Sequence, residues 1–500
     1  MKGHKITSAD AVKAYLQSLL KSLAETWVRL PREVWPESWF DGQGRPLYKR
    51  PVIRLLRSLY GHPEAGAHWE RKLEQELLDM GAVRVPEYPS TYTFPSYGHL
   101  ALVVYVDDFL LSGDSDFHDA FWSELSKRIM IEDIGDLGRF LGRHHTTVSH
   151  AGHEQLAFDM RAYARDTIQD YVNITNTKTF KKAHTPFLAK VAEHLDDDEA
   201  TGELASSASS VLMKLMWISR LARPDVLRAT TWLATKVQKW SRSCDAHLHR
   251  VMCYLYHSQE NMLTGWINDP PEELFVEMFV DADFCGDDED CYSTSGGWIQ
   301  LPGPSTQFPL AWLSKKQSTV ARSTTEAETV ALSYVLYEEG LSMLELWKQL
   351  LQRDVKLRVR EDNEATAKIV LAGYSKRLRH LRRTQKIHLA SLSEQLNQPD
   401  IELMLVNTLF QKADVFTKAV AGPLWENAMK LLSILGDYKI LHTSSTGLKM
   451  NFENLDEALG PSYGEVQPGP KSMPKATMKK RKKKAQRILP YARAPEDGCG

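Results

Sequence analysis

Two short apolar runs on either side of an aspartate pair constrain the fold more than any other part of the sequence. They form the segment ALVVYVDDFLLSGD, which spans residues 101–114. The runs are rich in β-branched residues and have the length of strands. The pattern predicts a β-hairpin that carries Asp107 and Asp108 at its turn.

Length and composition indicate a soluble protein of several domains. A chain of 500 residues with 43% hydrophobic and 25% charged residues is long enough for three or four globular domains. No apolar run approaches a membrane span, and no apolar stretch follows the first lysines, so neither a membrane partner nor a secretory signal is expected. The five cysteines are too few and too scattered for a disulfide framework, and without a CxxC pair a zinc site is not expected. These features predict an intracellular, reduced protein.

The order of helical and strand patterns separates an earlier part from a later α/β part. Helices are predicted over Ala11–Leu23 and Tyr60–Met80, and His150–Asn268 is mostly helical in pattern. From about Pro270 the order becomes β-β-β-α-β, which is typical of a separate α/β domain. The predicted elements of this later part are the strands Leu274–Phe284, Thr294–Leu301 and Leu310–Leu313, the helix Ser323–Leu351 and the strand Val355–Arg360.

Acidic residues recur at the ends of the predicted elements in the later part. Taken singly, each is better explained as a solvated cap or turn residue. Together, carboxylates at strand ends and first helical turns can converge on one edge of a sheet, where like charges are costly unless cations bind them. Two Mg²⁺ ions would offset that cost and would support phosphodiester chemistry. The candidates are Asp281, Glu326 or Glu328, Asp362 and Asp414.

Four segments of the later part, in order, resemble the ribonuclease H domain of copia-type retrotransposon polyproteins. They are VDADFCGDDEDCYSTSGGWI, WLSKKQSTVARSTTEAETVALS, VREDNEATAKI and QKADVFTKAV, within Phe275–Leu432. The resemblance implies a nuclease that cuts the RNA strand of an RNA/DNA hybrid with two Mg²⁺ ions. It also implies that Asp281, Glu328, Asp362 and Asp414 are the catalytic, metal-binding carboxylates. Glu328 is preferred because it directly precedes the apolar helical face, whereas Glu326 is expected to cap the helix.

A basic segment follows Asp362 closely and is interpreted as a surface that binds the phosphates of the hybrid. The alternative is a solvated helix face, which is the usual role of a charge run. Where the family shows Lys-His-Ile-Asp, this chain has Arg379-His380-Leu381-Arg382, so no role beyond binding is expected. The candidate nucleic-acid-binding residues are Lys376, Arg377, Arg379, His380, Arg382, Arg383 and Lys386.

In the first half, the YVDD turn resembles the metal-binding hairpin of copia-type reverse transcriptases. The resemblance implies that Asp10 completes a metal site with Asp107 and Asp108, and that Tyr15, five residues after Asp10, crowds the ribose 2′ position of a nucleotide. The run RLLRSLYGHPEAGAHWERKL resembles the nucleotide-site motif of that family, but Glu64 replaces its glutamine and Gly66 its proline. A carboxylate there should repel a triphosphate unless it is protonated or turned away.

Segments resembling the primer grip, thumb and connection extend the resemblance over Ala9–Leu432. It implies a multidomain α+β and α/β protein: a reverse-transcriptase palm, a helical thumb and connection, and a ribonuclease H-like domain with a mixed five-stranded sheet. A disordered basic tail follows. The predicted domains are residues 1–148, 149–270 and 271–435, with the tail at 436–500.

The resemblance further implies two Mg²⁺ ions per active site, with Mn²⁺ as a substitute. The implied partners are an RNA/DNA hybrid, an RNA template with a DNA primer, and dNTPs. The fingers that precede the first aspartate in the family are missing, so an N-terminally truncated chain with an impaired polymerase is expected. A homodimer, or association with other retroelement proteins, stays open. The alternative is a decayed or domesticated retroelement protein that binds nucleic acid without catalysis.

The tail is strongly basic, whereas the rest of the chain is mildly acidic. Ten Lys or Arg and no Asp or Glu lie between Lys471 and Arg493, although the whole chain has a net charge of −2. The run Lys479–Lys484 is interpreted as a nuclear-import signal or as a non-specific tether to nucleic acid. The resemblance places the protein in the cytoplasm, in a virus-like particle, with nuclear import through this run.

Overall fold

The computed structural model describes residues 3–150, 153–188, 200–286, 291–420 and 422–436. The predicted basic tail therefore lies outside the described residues. None of the described helices combines the length and the apolar character that crossing a bilayer requires. The described parts of the chain are mixed α/β, with several sheets.

The N-terminal part forms a six-stranded antiparallel sheet in the order β4-β5-β6-β7-β1-β8. The predicted hairpin is present, because Tyr105 pairs with Asp108 and leaves Val106 and Asp107 as the turn. Side chains of α2 and α3, including Trp69, Leu77 and Phe121, pack into the core of this sheet. The elements are β1 (His4–Ala11), α1 (Ala14–Gln17), β2 (Trp27–Val28), β3 (Ile53–Arg54), α2 (Ala65–Asp79), β4 (Val83–Arg84), β5 (Thr91–Phe94), β6 (Leu100–Tyr105), β7 (Asp108–Asp114), α3 (Ser115–Ser126) and β8 (Ile131–Asp136).

The helix predicted over Ala11–Leu23 is wrong. Ala11 ends strand β1, and the helix that follows is the single turn α1. In β1 the alternate residues Thr7, Ala9 and Ala11 are buried, and the strand pairs with both β7 and β8. Pairing on two sides and burial of one face outweigh the local helical pattern, because propensity is weaker than tertiary context.

The middle part combines helices with a five-stranded sheet in the order β18-β12-β11-β10-β9. The prediction of a mostly helical His150–Asn268 is right for the helices, but it misses strands β11 and β12. Strand β11 pairs with β10 on one side and with β12 on the other. The helices bury Leu212, Leu215 and Leu248 in the largest core of the molecule. The elements are β9 (Arg139–Phe140), β10 (Arg143–His150), β11 (His153–Asp159), α4 (Arg161–Thr175), α5 (Ala208–Leu221), α6 (Leu227–Thr235), α7 (Arg242–His257) and β12 (Met262–Gly265).

The later part contains a mixed five-stranded sheet in the order β15-β14-β13-β16-β17. Strands β13, β16 and β17 are mutually parallel, and β14 and β15 are antiparallel to their neighbours. The predicted β-β-β-α-β order is confirmed. The elements are β13 (Val276–Ala282), β14 (Thr294–Gly303), β15 (Thr306–Lys316), α8 (Thr324–Val335), α9 (Leu341–Leu351), β16 (Leu357–Glu361), α10 (Glu364–Ala372), α11 (Leu381–Thr384), α12 (Leu389–Leu396), β17 (Ile401–Leu405), α13 (Pro423–Leu431) and β18 (Ile434–Leu435).

The long helix predicted over Ser323–Leu351 is continuous, because one π turn at Leu336–Gly340 joins α8 to α9. The core of the middle part includes Phe279, Trp298 and Phe416 from the later part. The two parts therefore share apolar packing, and the predicted border near residue 270 stays a prediction.

Cys285 and Cys291 form a disulfide at the ends of the loop between β13 and β14. The cysteine count did not predict this pair. Cys244 and Cys253 are buried and unpaired in the helical part.

Candidate metal centre

Four elements bring the predicted carboxylates of the later part to one edge of its sheet. Asp281 is the next-to-last residue of β13, and Asp362 directly follows the parallel neighbour β16. Because parallel strands end at the same edge, these two side chains lie at the same level of the sheet. Glu328 is on α8, which packs on β13, and Asp414 is on a 3-10 helix at Lys412–Phe416.

Two groups of three carboxylates have ligand oxygens within 4.8 Å of one another. We call Asp281, Asp362 and Asp414 the outer trio, and Glu328, Glu361 and Asp362 the inner trio. The four predicted residues are thus brought together, and Asp362 belongs to both trios. Carboxylate oxygens alone are the ligands that hard cations such as Mg²⁺ and Mn²⁺ prefer. The donor set fits divalent metal ions.

Glu361 is a fifth carboxylate that the sequence motifs did not reveal. It ends β16, where Leu357 and Val359 on the same face are buried in the apolar core. A strand alternates its two faces, so the sequence does place an acid on a buried face at this position. That acid, next to Asp362, is the signal that could have found it.

Four carboxyl groups of the centre have raised pKa values and so resist ionisation. Burial, reinforced by neighbouring carboxylates, raises the pKa values of Glu328, Glu361 and Asp362. Burial followed by the charge of Asp281 raises the pKa of Asp414 to about 7. Three buried and two half-buried acids at one place are costly unless positive charge lies among them, so the arrangement favours bound cations.

Lys418 supplies positive charge to the outer trio. Its Nζ donates to Asp281 Oδ1 at 2.9 Å and to Asp414 Oδ1 at 2.6 Å. Burial alone would lower the pKa of Lys418, but Asp281 and Asp414 raise it. Thr417 also donates its hydroxyl to Asp281. These contacts hold two carboxylates of the outer trio in place.

Glu326 serves the start of α8. Ser323 is the N-cap and accepts a hydrogen bond from the Glu326 backbone N–H, while the Glu326 carboxylate accepts one from the Arg322 N–H. This arrangement resembles a capping box, except that the carboxylate accepts from the residue before the N-cap. The other Glu326 oxygen lies 2.9 Å from His380 Nε2. Glu328 alone of the two glutamates belongs to a carboxylate trio.

The basic segment is attached to the same helix. Leu378 and Leu381 are buried against Val330 of α8, and His380 contacts Glu326. The basic side chains around Leu378 and Leu381 are exposed to solvent. Among them only Arg379 makes a described side-chain contact, with Tyr374. No acidic side chain among the described residues lies within 4.0 Å of any of them. The exposed members are Lys376, Arg377, Arg379, Arg382, Arg383 and Lys386.

The three carboxylates of the predicted palm lie on two neighbouring strands and in an adjoining turn. Asp10 pairs in register with Asp108, and Asp107 is in the turn, where its backbone oxygen accepts from Ala11 N–H at 2.7 Å. Trp69 donates its ring N–H to Val106 O at 2.6 Å, and this hydrogen bond holds the turn in place. Burial, with neighbouring aspartates, raises the pKa values of Asp10 and Asp108. Within the described ranges, however, no trio with ligand oxygens inside 4.8 Å includes these residues.

Of the two predicted nucleotide-binding residues, Tyr15 lies near the turn that carries Asp107. Tyr15 packs on Tyr60, with ring centroids 4.6 Å apart, and it lines a cavity of about 240 Å³ together with Trp69 and Val106. Burial and the charge of Asp107 raise the pKa of Tyr60, which sequence reasoning did not single out. Glu64 accepts a hydrogen bond from Ser22, which lowers its pKa, and lies 3.7 Å from His68. The Glu64 carboxylate is therefore charged and engaged with neighbouring side chains.

Comparison with known proteins identifies the class. Residues 12–188 match the family model described as reverse transcriptase (RNA-dependent DNA polymerase). The chain is 26% identical over 439 residues to the retrovirus-related Pol polyprotein from transposon RE2 of Arabidopsis thaliana, with 86% of this chain and 28% of that protein covered. It is 24% identical over 396 residues to the corresponding polyprotein from transposon TNT 1-94 of Nicotiana tabacum, with 77% and 28% covered.

A solved structure, the foamy viral protease-reverse transcriptase in complex with dsDNA, is 14% identical with a TM-score of 0.40, over 81% of this chain and 68% of that one. The chain carries a reverse transcriptase domain. These matches confirm the predicted resemblance to copia-type, retrovirus-related Pol polyproteins of transposons. The chain spans 28% of the length of the two relatives named above.

Proposed function

We propose that the chain is a retrotransposon reverse transcriptase and ribonuclease H, and that its centre on the mixed sheet hydrolyses the RNA strand of an RNA/DNA hybrid. The observation that carries this proposal is the convergence of Asp281, Glu328, Asp362 and Asp414 on one sheet edge. These residues match the ribonuclease H motifs, and they come from four elements far apart in sequence. Coincidental convergence of the motif residues is improbable.

The chain's own residues divide the work at this centre. The four motif carboxylates would hold Mg²⁺, or Mn²⁺ in its place, which supplies an activated water and stabilises the leaving oxygen. Lys418 and Thr417 orient Asp281 and Asp414. The exposed basic segment beside α8 binds the phosphates of the hybrid, and the contact between His380 and Glu326 fixes that segment close to Glu328.

The palm is proposed to perform RNA-directed DNA synthesis on an RNA template with a DNA primer. Asp10, Asp107 and Asp108 would hold the metal ions, and Tyr15 and the neighbourhood of Glu64 would contact the dNTP. The polymerase is proposed to be impaired, because these three carboxylates do not meet within 4.8 Å among the described residues and because Glu64 is charged.

The proposal extends to the domain borders and to the setting of the protein. Palm, thumb with connection, and ribonuclease H-like domain would follow one another as in the sequence prediction, and a homodimer or another retroelement protein would be the protein partner. The protein would act in a cytoplasmic particle, and Lys479–Lys484 would direct nuclear import.

The experiment is cleavage of a labelled RNA strand in an RNA/DNA hybrid with Mg²⁺. The wild-type chain should cut the hybrid and spare double-stranded DNA and single-stranded RNA, and Asp281→Asn should remove the activity. Glu339→Gln, a change at a half-buried acid outside both trios, is the matched control and should cut normally.

A folded wild-type chain that binds the hybrid without cutting it would overturn the nuclease proposal. That result would favour the alternative, a retroelement protein that binds nucleic acid without catalysis. The exposed basic segment supports binding under either function.

A further inference from the structure

Glu361 is the most deeply buried acid of the inner trio. Its side chain is 0% exposed, and that of Glu328 is 3% exposed. Glu361 Oε1 accepts a hydrogen bond from Asn363 N–H at 3.1 Å. The Oε2 atoms of both Glu328 and Glu361 are buried without a hydrogen-bond partner. A buried carboxylate oxygen without a donor is rare in native proteins and signals a missing partner.

The two trios differ in their counter-charge. Lys418 forms ion pairs with Asp281 and Asp414 of the outer trio. Within the described part of the chain, no Lys, Arg or His lies within 4.0 Å of a carboxylate oxygen of Glu328, Glu361 or Asp362. The inner trio therefore brings three acids together with no cation of its own, although its oxygens lie within 4.8 Å of one another.

We infer that Glu328, Glu361 and Asp362 form an inner site for a divalent cation, with Glu361 as a ligand beyond the four motif carboxylates. The inference rests on the proposed function, because it assumes that the outer trio also binds a metal ion. Asp362 belongs to both trios and would bridge them. Lys418 directly contacts two carboxylates of the outer trio but, among the described residues, lies farther than 4.0 Å from those of the inner trio. The inner ion would therefore have three protein carboxylates without a directly bound ammonium, and we expect it to bind more tightly than an ion at the outer trio.

The chemistry of the inner site selects hard cations. Its donors are carboxylate oxygens only, which suit Mg²⁺ and Mn²⁺ and not soft thiophilic ions. Mn²⁺ is the probe of choice because the bound ion can be counted. A Glu-to-Gln change keeps the size of the side chain and removes one charge and one strong ligand, so it isolates the role of Glu361.

The test counts tightly bound Mn²⁺ by electron paramagnetic resonance in a chain that carries Asp107→Asn, which silences the palm. This background chain should bind two ions tightly. Adding Glu361→Gln should weaken one of them by about tenfold or more, the scale reached even by loss of an outer-shell partner. Adding Asp281→Asn instead should spare the tighter ion. Equal counts and affinities with and without Glu361→Gln would overturn the inference.

Thermal unfolding separates a ligand from a merely structural residue. In EDTA, Glu361→Gln should melt at or above the temperature of the background chain, because an amide of the same size replaces a buried carboxyl group that lies among other acids. With Mn²⁺, the same variant should gain much less stability than the background chain. A variant that melts lower in EDTA and gains as much from Mn²⁺ would assign Glu361 a structural role and sink the inference.

A third variant keeps the test decisive if Glu361→Gln does not fold. In that event the Asp281→Asn chain decides alone, since it must still hold one tight ion at the inner trio, and its loss of all tight ions would overturn the site. The outcome is independent of cleavage. A wild-type chain that binds two ions but cuts no hybrid would leave the inner site standing while the proposed nuclease function fails.

Discussion

The chain contains two groups of carboxylates that differ in how the fold assembles them. Asp10 and Asp108 lie on the paired strands β1 and β7, and Asp107 lies in the turn between β6 and β7, beside the exposed Tyr105. The centre on the mixed sheet draws Asp281, Glu328, Asp362 and Asp414 from four elements, and it buries the first two fully and the last two in part. The more conspicuous local motif therefore yields the looser group. Residues close in sequence reach a site from adjacent strands only. A compact set of metal ligands needs side chains from elements on several sides of the ion.

The largest expected effect is a reciprocal loss of activity. Asp281→Asn should lower hybrid cleavage by about 10³-fold or more while leaving primer extension unchanged, because a metal ligand supports several kcal/mol of transition-state stabilisation. Asp107→Asn should do the reverse. Both assays are run on the same preparations, with Glu339→Gln as the control. If either substitution lowers both activities alike, the two groups do not act as separate centres.

The buried contacts next to the two groups of carboxylates should contribute different amounts to the free energy of unfolding. Arg360 is buried and pairs with Glu277 at 2.7 Å, on strands β16 and β13 that carry the metal centre. Arg360→Met leaves that acid without its cation and should cost about 3–5 kcal/mol of unfolding free energy. Trp69→Phe, which removes the bond to the palm turn, should cost about 1–3 kcal/mol.

Urea unfolding measures both values. Arg45→Met is the matched control, since it breaks an exposed pair with Asp41 and should leave the unfolding free energy nearly unchanged. A larger loss from Trp69→Phe than from Arg360→Met would reverse the comparison.

The response to pH should also separate the groups. The pKa of Asp414 is raised to about 7 in the folded chain, whereas an unfolded aspartate titrates near pH ~3.9. Between these values the folded state holds a proton that the unfolded state has lost, so this group's contribution to stability falls as pH rises. In EDTA, the melting temperature of wild type relative to Asp414→Asn should therefore decrease from about pH 4 to about pH 7.

Saturating Mg²⁺ should reverse that trend, because metal ions and protons compete for the same oxygens. Asp107→Asn in the palm should leave the EDTA profile unchanged. A wild-type profile with the same slope in EDTA and in Mg²⁺ would contradict the reading of Asp414 as a metal ligand.

The smallest expected effect concerns binding. Replacing Arg382 and Arg383 with glutamine should weaken binding to an RNA/DNA hybrid by about tenfold at low salt and should reduce the slope of log K against log salt by about 1–2. Fluorescence anisotropy measures both quantities. Arg165→Gln, which removes an exposed arginine paired with Glu260, is the control and should change neither. Equal weakening by both changes would assign the effect to overall charge.

The sequence predicted the later sheet better than the first strand. The alternating and continuous apolar runs of β13 to β16 are local signals, and the structure confirms their order. Strand β1 has small and polar residues, such as Thr7, Ser8 and Ala9, and becomes a strand only because β7 and β8 pair with it on both sides. No local pattern contains that information.

For the candidate site, the motifs supplied the four carboxylates that meet, but not the neighbours that decide their charge. Lys418 is separated from Asp281 by more than a hundred residues of sequence, and it becomes that residue's partner only through the fold. The sequence did not single out Glu361 for a different reason. Two adjacent acids at a strand end point to opposite faces, and the sequence motif selected only Asp362. Burial, which the sequence gives only indirectly, distinguishes Glu361.

Strand β18 closes the middle sheet from the far end of the described chain. Ile434 and Leu435 pair with Leu263 and Met262 of β12. During synthesis, β12 leaves the ribosome about 170 residues before its partner, and at a usual elongation rate of roughly 5–20 residues per second it waits on the order of ten seconds or more. Throughout that interval its edge is open to pairing with other chains. Translation that halts before Ile434 would leave this edge permanently uncovered, so incomplete products should aggregate or be degraded while the complete chain stays in solution.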